Sequence, residues 1–264
     1  MKLGLIGNGA IARYVMGALE DTGHEIGSLL LRPERVAELA AEGSSIPSMV
    51  SSVSAIPSDL DLIVECAGHQ ALRQYGAEIL RRGLNLVTVS IGALADRDLE
   101  DELTRAAQDG GARLLLASGA IGALDALRSA KVGDLARVRY VGRKPPHGWL
   151  GSPAESHLDL NNIGPEAQTH YAGSARRAAL EYPKNANVSA AVALAGLGFD
   201  QTEVELIADP SISENIHEIH AEGEFGAFSF RISGRALSDN PRSSALAAMS
   251  VVSRVAQEAQ PIRF

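Results

Sequence analysis

Four apolar residues, Leu3 to Ile6 (with Gly4 among them), run straight into Gly7-Asn8-Gly9-Ala10-Ile11-Ala12. An amphipathic stretch with Ile11, Val15, Ala18 and Leu19 on one side follows at once. No other feature narrows the fold as far. The apolar run reads as a strand buried on both faces of a parallel sheet, and the stretch after it as a helix. Between them, Gly7 permits a tight turn, Gly9 lets the backbone come close to a pyrophosphate, and small Ala12 lets helix pack on strand. Asn8, Ala10 and Ile11 complete the turn. The helix start offers unpaired N–H groups and a positive dipole end to phosphates. An ordinary strand–turn–helix can carry three small residues too; the placement directly between strand and helix makes dinucleotide binding the expectation.

The 264 residues suffice for one large or two modest domains, and 45% apolar content with no long apolar run places the chain among globular, non-membrane proteins. Because the chain opens on a structural strand, no leader peptide is expected. Cys66 is the single cysteine. That excludes an internal disulfide framework and a multi-cysteine metal site, and fits a reducing cytoplasm. A net charge of -8 argues against nucleic acid or an anionic membrane as partner. No His, Asp and Glu stand at metal-ligand spacing, so no metal is expected.

Down the chain, strands at 25–31, 49–50, 61–67, 85–90 and 112–117 alternate with helices at 35–42, 70–82 and 98–109, which implies a doubly wound parallel sheet of the Rossmann type. Ligands of such sheets sit outside the carboxyl ends of the strands. The segments Gly7–Ala12, Cys66-Ala67-Gly68-His69 and Ser90-Ile91-Gly92-Ala93 meet that condition. Cys66, at an apolar strand end, reads as a buried small hydrophobe rather than a nucleophile. His69 either touches the cofactor ribose or caps its helix. About 20 residues past the glycine turn, where an acid would hold a ribose 2′-hydroxyl, stands Arg32, then Pro33 and Glu34. A guanidinium there suits a 2′-phosphate, so both NAD and NADP are admitted.

The pattern changes after Ser118-Gly119-Ala120-Ile121-Gly122-Ala123, where small residues allow close backbone approach before a helix near Leu124. Period-two alternation at 137–144, 204–209, 216–223 and 225–232 predicts a mostly antiparallel sheet in an α+β second domain. Its helices run from an N-cap at Ser174 and from Asn185 to Leu197, and Asn240-Pro241 opens a last helix. The expected domains are a dinucleotide-binding one at 1–117, joined by the closing helix 241–264, and a substrate, catalytic and dimerisation domain at 118–240. A homodimer is expected from apolar strands left exposed in the second sheet. Candidate anion sites for a substrate are Ser174 with Arg176, Lys144 at a strand end, and Ser243 at the last helix start. Of seven histidines, His24 lies by a surface turn, His147 and His157 in a loop, and His170 on a helix flank. His217 and His220 share a strand three residues apart, so only one can face a cleft.

Several segments in this order carry a resemblance. They are the opening Gly-x-Gly-x-Ile-Ala, Ser90-Ile91-Gly92-Ala93-Leu94, Ser118-Gly119-Ala120-Ile121, Gly173-Ser174-Ala175-Arg176, Tyr182-Pro183-x-Asn185-x-Asn187-Val188, Asn215-Ile216-His217-Glu218-Ile219 and the closing Asn-Pro-Arg-Ser-Ser. Together they resemble the L-aspartate dehydrogenase family over nearly the whole chain. Relatives have Asn-Val-Asn-Val where this chain has Asn185-Ala186-Asn187-Val188. The resemblance implies oxidation of L-aspartate with NAD or NADP to iminoaspartate, then oxaloacetate and ammonia, an imine that can feed NAD biosynthesis. It implies His217 as the catalytic residue, Asn187 against the nicotinamide, and Ala120 to Ala123 in backbone contact with the cofactor. An imidazole titrating near neutrality would suit the proton work. The alternatives are a dihydrodipicolinate reductase- or homoserine dehydrogenase-like enzyme, or an NAD(P)-sensing regulator. The first is disfavoured by the lack of a His-His pair, the last by the lack of a DNA-binding appendage.

Overall fold

The computed structural model describes residues 1–20, 22–42, 48–183, 187–238 and 240–262, with backbone alone at 241 and 242. The chain divides into two compact units, one of residues 1–90, 97–117 and 247–264, the other of residues 91–96 and 118–246.

The first unit contains β1 (Lys2–Ile6), α1 (Ala10–Leu19), β2 (Glu25–Leu30), α2 (Pro33–Ala41), β3 (Met49–Val50), β4 (Leu62–Glu65), α3 (His69–Arg81), β5 (Leu86–Thr88), α4 (Arg97–Gly110) and β6 (Leu114–Leu116). Its six strands are parallel, in the order β3-β2-β1-β4-β5-β6. The doubly wound sheet expected from the alternating pattern is therefore present, and its order reverses between β1 and β4, where such sheets take ligands. β4 is buried at all four positions, as a continuous Leu-Ile-Val run demands. Leu3, Leu5, Val64 and Val87 from the sheet share one core with Ala12, Val15 and Leu19 of α1 and with Val251 and Val255 near the C-terminus. α2 starts two residues earlier than the pattern predicts, because Pro33 presets the first helical φ.

The second unit contains α5 (Leu124–Ala130), β7 (Leu135–Lys144), β8 (Gln168–Ser174), α6 (Ala175–Glu181), α7 (Asn187–Ala195), β9 (Glu203–Ala208), β10 (Asn215–Gly223), β11 (Gly226–Gly234), β12 (Ala236–Leu237) and β13 (Asn240–Ser244), and α8 (Ala245–Ala259) closes the chain. The main sheet runs β11-β10-β7-β9-β8; only β7 and β9 pair in parallel. Asn185, from which the helix α7 was expected to start, lies outside the described residues.

Register sorts this sheet into two faces. Val138, Tyr140, Gly142, Val204, Leu206, His217, Ile219 and Ala221 line one, and all are buried. The other carries charge: Arg137 pairs with Glu203, Arg139 with Glu205, and Arg231 with Glu218. Apolar strands left open were expected here: Phe228, Phe230 and Ile232 of the edge strand β11 are only half-buried, while the alternation puts the ion pairs on the other face. Two further expectations change. His170 sits on β8, not on a helix flank, because Thr169 and Tyr171 beside it favour a pleated strand. Residues 240–244 form β13, not the first turn of a helix; a two-stranded ribbon is all edge, so it tolerates Pro241. Among the described residues no helix is long and apolar enough to cross a membrane.

Candidate functional site

In the first unit the glycine turn is built at the β1/β4 junction. Gly7 has φ of 92°, a region that penalises any Cβ. A Cβ there would also fall 2.8 Å from that of Ala67, just past β4. Gly9 caps α1 without a side-chain hydrogen bond, and a Cβ on it would meet nothing within 4 Å. The space beside the first turn of α1 is thus open, and the N–H groups of Ala10, Ile11 and Ala12 have no acceptor within the helix. Ala12 is fully buried against the sheet. Free backbone N–H groups beside open space at a helix start are what a phosphate group binds.

Glu65 shapes the neighbouring loop. Its side chain is fully buried, and Oε1 accepts from the N–H groups of Ala67 and Gly68 at 2.6 and 2.7 Å. The Thr88 hydroxyl donates to Oε2 at 2.6 Å and accepts from Ser90 N–H at 3.0 Å. One carboxylate therefore ties together two of the three ligand-facing segments. Its one signal in the sequence is a lone carboxylate in an apolar run, which burial obliges to find hydrogen-bond donors. Gly68, at φ of 105°, caps α3, which leaves His69 as the first helical residue rather than the cap. Ser90 is buried beneath this network. Burial and the Glu65 charge push the Cys66 thiol well above its ordinary range, so it is no nucleophile.

Arg32 is exposed at the N-cap of α2, at the end of β2. Behind it Arg35 reaches back to the turn: with its carboxamide oxygen facing Arg35, Asn8 accepts from Nε and Nη2 at 2.8 and 3.1 Å. Arg35 also donates to Glu38 at 2.6 Å.

The second unit brings together a different chemistry. The Tyr140 hydroxyl lies 2.7 Å from Nδ1 of His217, whose side chain is 6% exposed. Gly142 makes this pairing possible, since a Cβ there would sit 2.7 Å from the Tyr140 hydroxyl. His220 points to the opposite face and meets Ser229 at 2.9 Å. Lys144, two residues beyond Gly142, stands on the His217 face, with Nζ 4.9 Å from the centre of the Trp149 ring. Trp149 is held by its N–H bond to the Ile207 carbonyl at 3.0 Å and by the edge of His170, 4.4 Å between ring centres. Nδ1 of His170 meets the Tyr182 hydroxyl at 3.2 Å.

Burial dominates the electrostatics of this cluster. It pushes Lys144 down to about 8. Burial and then the Lys144 charge push His217 down to about 3, and burial, His157 and Lys144 push His170 to about 4. The expected imidazole titrating near neutrality is not what the fold provides, because water is excluded from it and a cation lies near. Both rings take up a proton on unfolding between their folded values and 6.5, so stability falls as pH drops through that window. Each contributes a slope of about 1.4 kcal/mol per pH unit there. Urea unfolding between about pH 4.5 and 6 checks it: His170→Gln is expected to remove one such slope, and an unchanged slope would rule out the neutral imidazole.

Other candidates stand apart. Ser174 caps α6 by accepting from Arg177 N–H at 3.4 Å, and it pairs with Glu203, whereas Lys144 pairs with Ala208 at the far end of β9. Arg176 is engaged by Asp200 at 2.7 and 2.9 Å and by the Ala95 carbonyl at 2.5 Å. Its guanidinium belongs to the fold. Ser243 lies within β13, two residues before α8, so the helix-start reason for choosing it is gone. Asn187, first residue of α7, accepts from Gly92 N–H at 2.9 Å and so fixes the 91–95 turn together with Arg176. Ala120 is buried, and Ala123 has φ of 57°, the one positive φ outside glycine among the described residues. Such a conformation costs about 1–3 kcal/mol and tends to persist at ligand sites.

The profile of the aspartate dehydrogenase C-terminal family matches residues 125–258, just over half of the chain. An L-aspartate dehydrogenase of Ruegeria pomeroyi is 51% identical over 264 residues, covering 100% of this chain and 94% of that one. The chain belongs to the L-aspartate dehydrogenase family. The homologue of Pseudomonas aeruginosa, also an L-aspartate dehydrogenase, is 43% identical and covers 99% of both chains. Residues 7–117 match a second profile, the homoserine dehydrogenase NAD binding domain. Among solved structures, aspartate dehydrogenase of Thermotoga maritima superposes with a TM-score of 0.77 at 25% identity, over 100% of this chain and 99% of that one.

Proposed function

We propose that the chain oxidises L-aspartate with NAD+ or NADP+ and water to oxaloacetate, ammonium, reduced cofactor and a proton. Bound nicotinamide dinucleotide would supply the hydride acceptor. The residues of the first unit suit holding it: Gly7, Asn8, Gly9, Ala10 and Ile11 around the pyrophosphate, Ala67, Gly68, His69 and Ser90 along the strand ends, and Arg32 at the ribose. Ala120, Ala123 and Asn187 are assigned to the nicotinamide side on family grounds. In the second unit His217 is the catalytic residue. Its ring plane is fixed by Tyr140, and the nitrogen remote from Tyr140, Nε2, is left to the substrate amine or the added water. Lys144 is the basic side chain assigned to the substrate, for which the net charge of -8 makes a local group necessary. The observation that carries the reading is the Tyr140–His217 pair beside Lys144 on one buried sheet face. The units themselves are assigned as the nucleotide-binding and the substrate-binding domain.

The test follows absorbance of reduced nicotinamide with L-aspartate, D-aspartate, glutamate, alanine and homoserine, and in reverse with oxaloacetate and ammonium. L-aspartate is expected to be preferred. Faster turnover of homoserine would move the chain to the reductase alternative, and binding without turnover to the sensor. Arg32→Asp is expected to weaken NADP+ by roughly tenfold or more and NAD+ by about two-fold or less, as loss of a phosphate partner predicts. Equal effects, measured by titration, would show that the side chain never meets the 2′ position. The same reading includes a homodimer, supported by the nine-residue edge strand β11, whose outer side has no strand neighbour among the described residues. Light scattering on the purified chain decides it. A cytoplasmic location is supported by the single, buried, free cysteine.

A further inference from the structure

The reaction needs a group that stores a proton, and His217 is ill suited to it. An L-aspartate ammonium must become a neutral amine before its Cα–H bond can release a hydride. An enclosed imidazole fixed by Tyr140 gains its partner's hydrogen bond but resists a second proton. The neighbouring cation on the same face is Lys144. In the β7–β10 ladder Arg143 is opposite Ile216 and Gly142 opposite His217. Lys144 and His217 are therefore diagonal neighbours on one face, a spacing that long side chains bridge.

The chain that follows β7 folds back over Lys144 and leaves it half-buried. Gly148 comes so near that a Cβ on it would fall 3.2 Å from that of Lys144, and Trp149 lies beneath the ammonium. Groups facing Lys144 are His217 from β10, His170 from β8 and Trp149 from the 146–149 turn, while β9 places Ala208 opposite it. His147 of the same turn is exposed, and His157 bears on His170. Carboxylates of the adjoining strands act on the opposite face: Asp209 and Glu218 lie 3.5 and 3.8 Å from Arg143, and Glu205 pairs with Arg139.

We propose that Lys144 is the catalytic base that takes the substrate's amine proton, with His217 beside it acting as a neutral hydrogen-bonding partner. The proposal rests on the aspartate reading above. In the step, the Lys144 amine lone pair binds a proton as the substrate N–H bond breaks, giving a lysine ammonium and a neutral substrate amine. The Cα–H pair would then leave as hydride, bound oxidised nicotinamide supplying the acceptor, while the amine lone pair forms the C=N bond. Water adds to that iminium carbon and ammonium departs, leaving the ketone; the lysine proton returns to solvent as the proton of the overall equation. Burial sets the ammonium near 8, close to working pH, where a base is most effective.

Lys144→Arg tests this, because it keeps a long basic side chain able to bind a carboxylate and removes the titration. Lys144→Arg is expected to lower kcat for L-aspartate by roughly 100-fold or more, with KM held within about three-fold, and to abolish an acidic limb of kcat/KM near pH 8. A lysine that only anchors the substrate would instead let arginine keep kcat within about tenfold and keep the limb, which overturns the proposal. The chain has four lysines, so ε-13C-lysine labelling resolves them by NMR in the wild-type protein, whatever the variant's stability. One resonance is expected to titrate near 8. Four resonances titrating at the ordinary lysine value of about 10.4 would overturn the proposal. A wild-type protein inert towards L-aspartate with either nucleotide sinks the functional reading and this one with it. An active wild type with an active Lys144→Arg sinks this one alone.

Discussion

Replacing His217 with alanine is expected to lower kcat for L-aspartate oxidation by roughly 100- to 1,000-fold, the range seen when one preorganised hydrogen-bonding group at a reacting centre is removed. Nucleotide affinity is expected to stay within about two-fold, since the glycine turn that suits the pyrophosphate belongs to the other unit. Three neighbours make the expectation specific. Tyr140 is buried, and that burial holds its hydroxyl well above the ordinary phenol range, so it remains a neutral partner for Nδ1. Tyr140→Phe keeps the ring and deletes the bond; it is expected to cost about 10- to 100-fold in kcat, as loss of an outer hydrogen bond to a working histidine does. Gly142→Ala places a methyl 2.7 Å from that hydroxyl, so it is expected to mimic Tyr140→Phe although it touches no reacting group. His220→Ala, on the outward face, is expected to leave kcat unchanged. Stopped-flow and steady-state kinetics on the four variants check the order. Wild-type turnover in His217→Ala would remove this histidine from the reaction.

Those residues also mark where the sequence is legible. Strict alternation along β7 and β10 sorts inward from outward positions, so the three-residue spacing alone puts His217 and His220 on opposite faces. The apolar run and glycines of 3–12 define a strand, a turn and a helix because each depends on neighbours in sequence. What stays hidden is set by partners distant in the chain. His170 and Tyr182 meet Trp149 only when β8 and the 146–149 turn come together. Arg176 looks like an anion site until Asp200, 24 residues away, takes its guanidinium. Ser243 depended on a helix boundary, the least sequence-determined feature of a helix. The protonation of His217 is the sharpest case: residue type suggests a neutral-range imidazole, and only burial beside Lys144 makes it otherwise.

Glu65→Ala is expected to destabilise the first unit by about 2–6 kcal/mol, because the buried Thr88 hydroxyl loses its acceptor at about 1–3 kcal/mol and the part-buried N–H groups of Ala67 and Gly68 lose theirs at about 0.5–1.5 kcal/mol apiece. That is a large share of the roughly 5–15 kcal/mol by which domains are stable, so urea unfolding at low temperature is the suitable measurement. Glu65→Gln separates hydrogen bonding from charge. The amide oxygen can still accept from Ala67 and Gly68, and its NH2 can donate to Thr88 Oγ1, although that hydroxyl's own proton then needs a new acceptor. The expected cost is about 1–2 kcal/mol. Function is affected by the same bonds. Ala67 limits the room at Gly7, and Gly68 opens α3, so a loop released from Glu65 moves the wall of the glycine cradle. Nucleotide affinity in Glu65→Ala is therefore expected to weaken by about tenfold and in Glu65→Gln by about two-fold or less, read by fluorescence titration with the reduced cofactor, while Lys144 and His217 keep their titration. A Glu65→Ala protein within about 1 kcal/mol of wild type would show that this carboxylate does not tie β4 to β5.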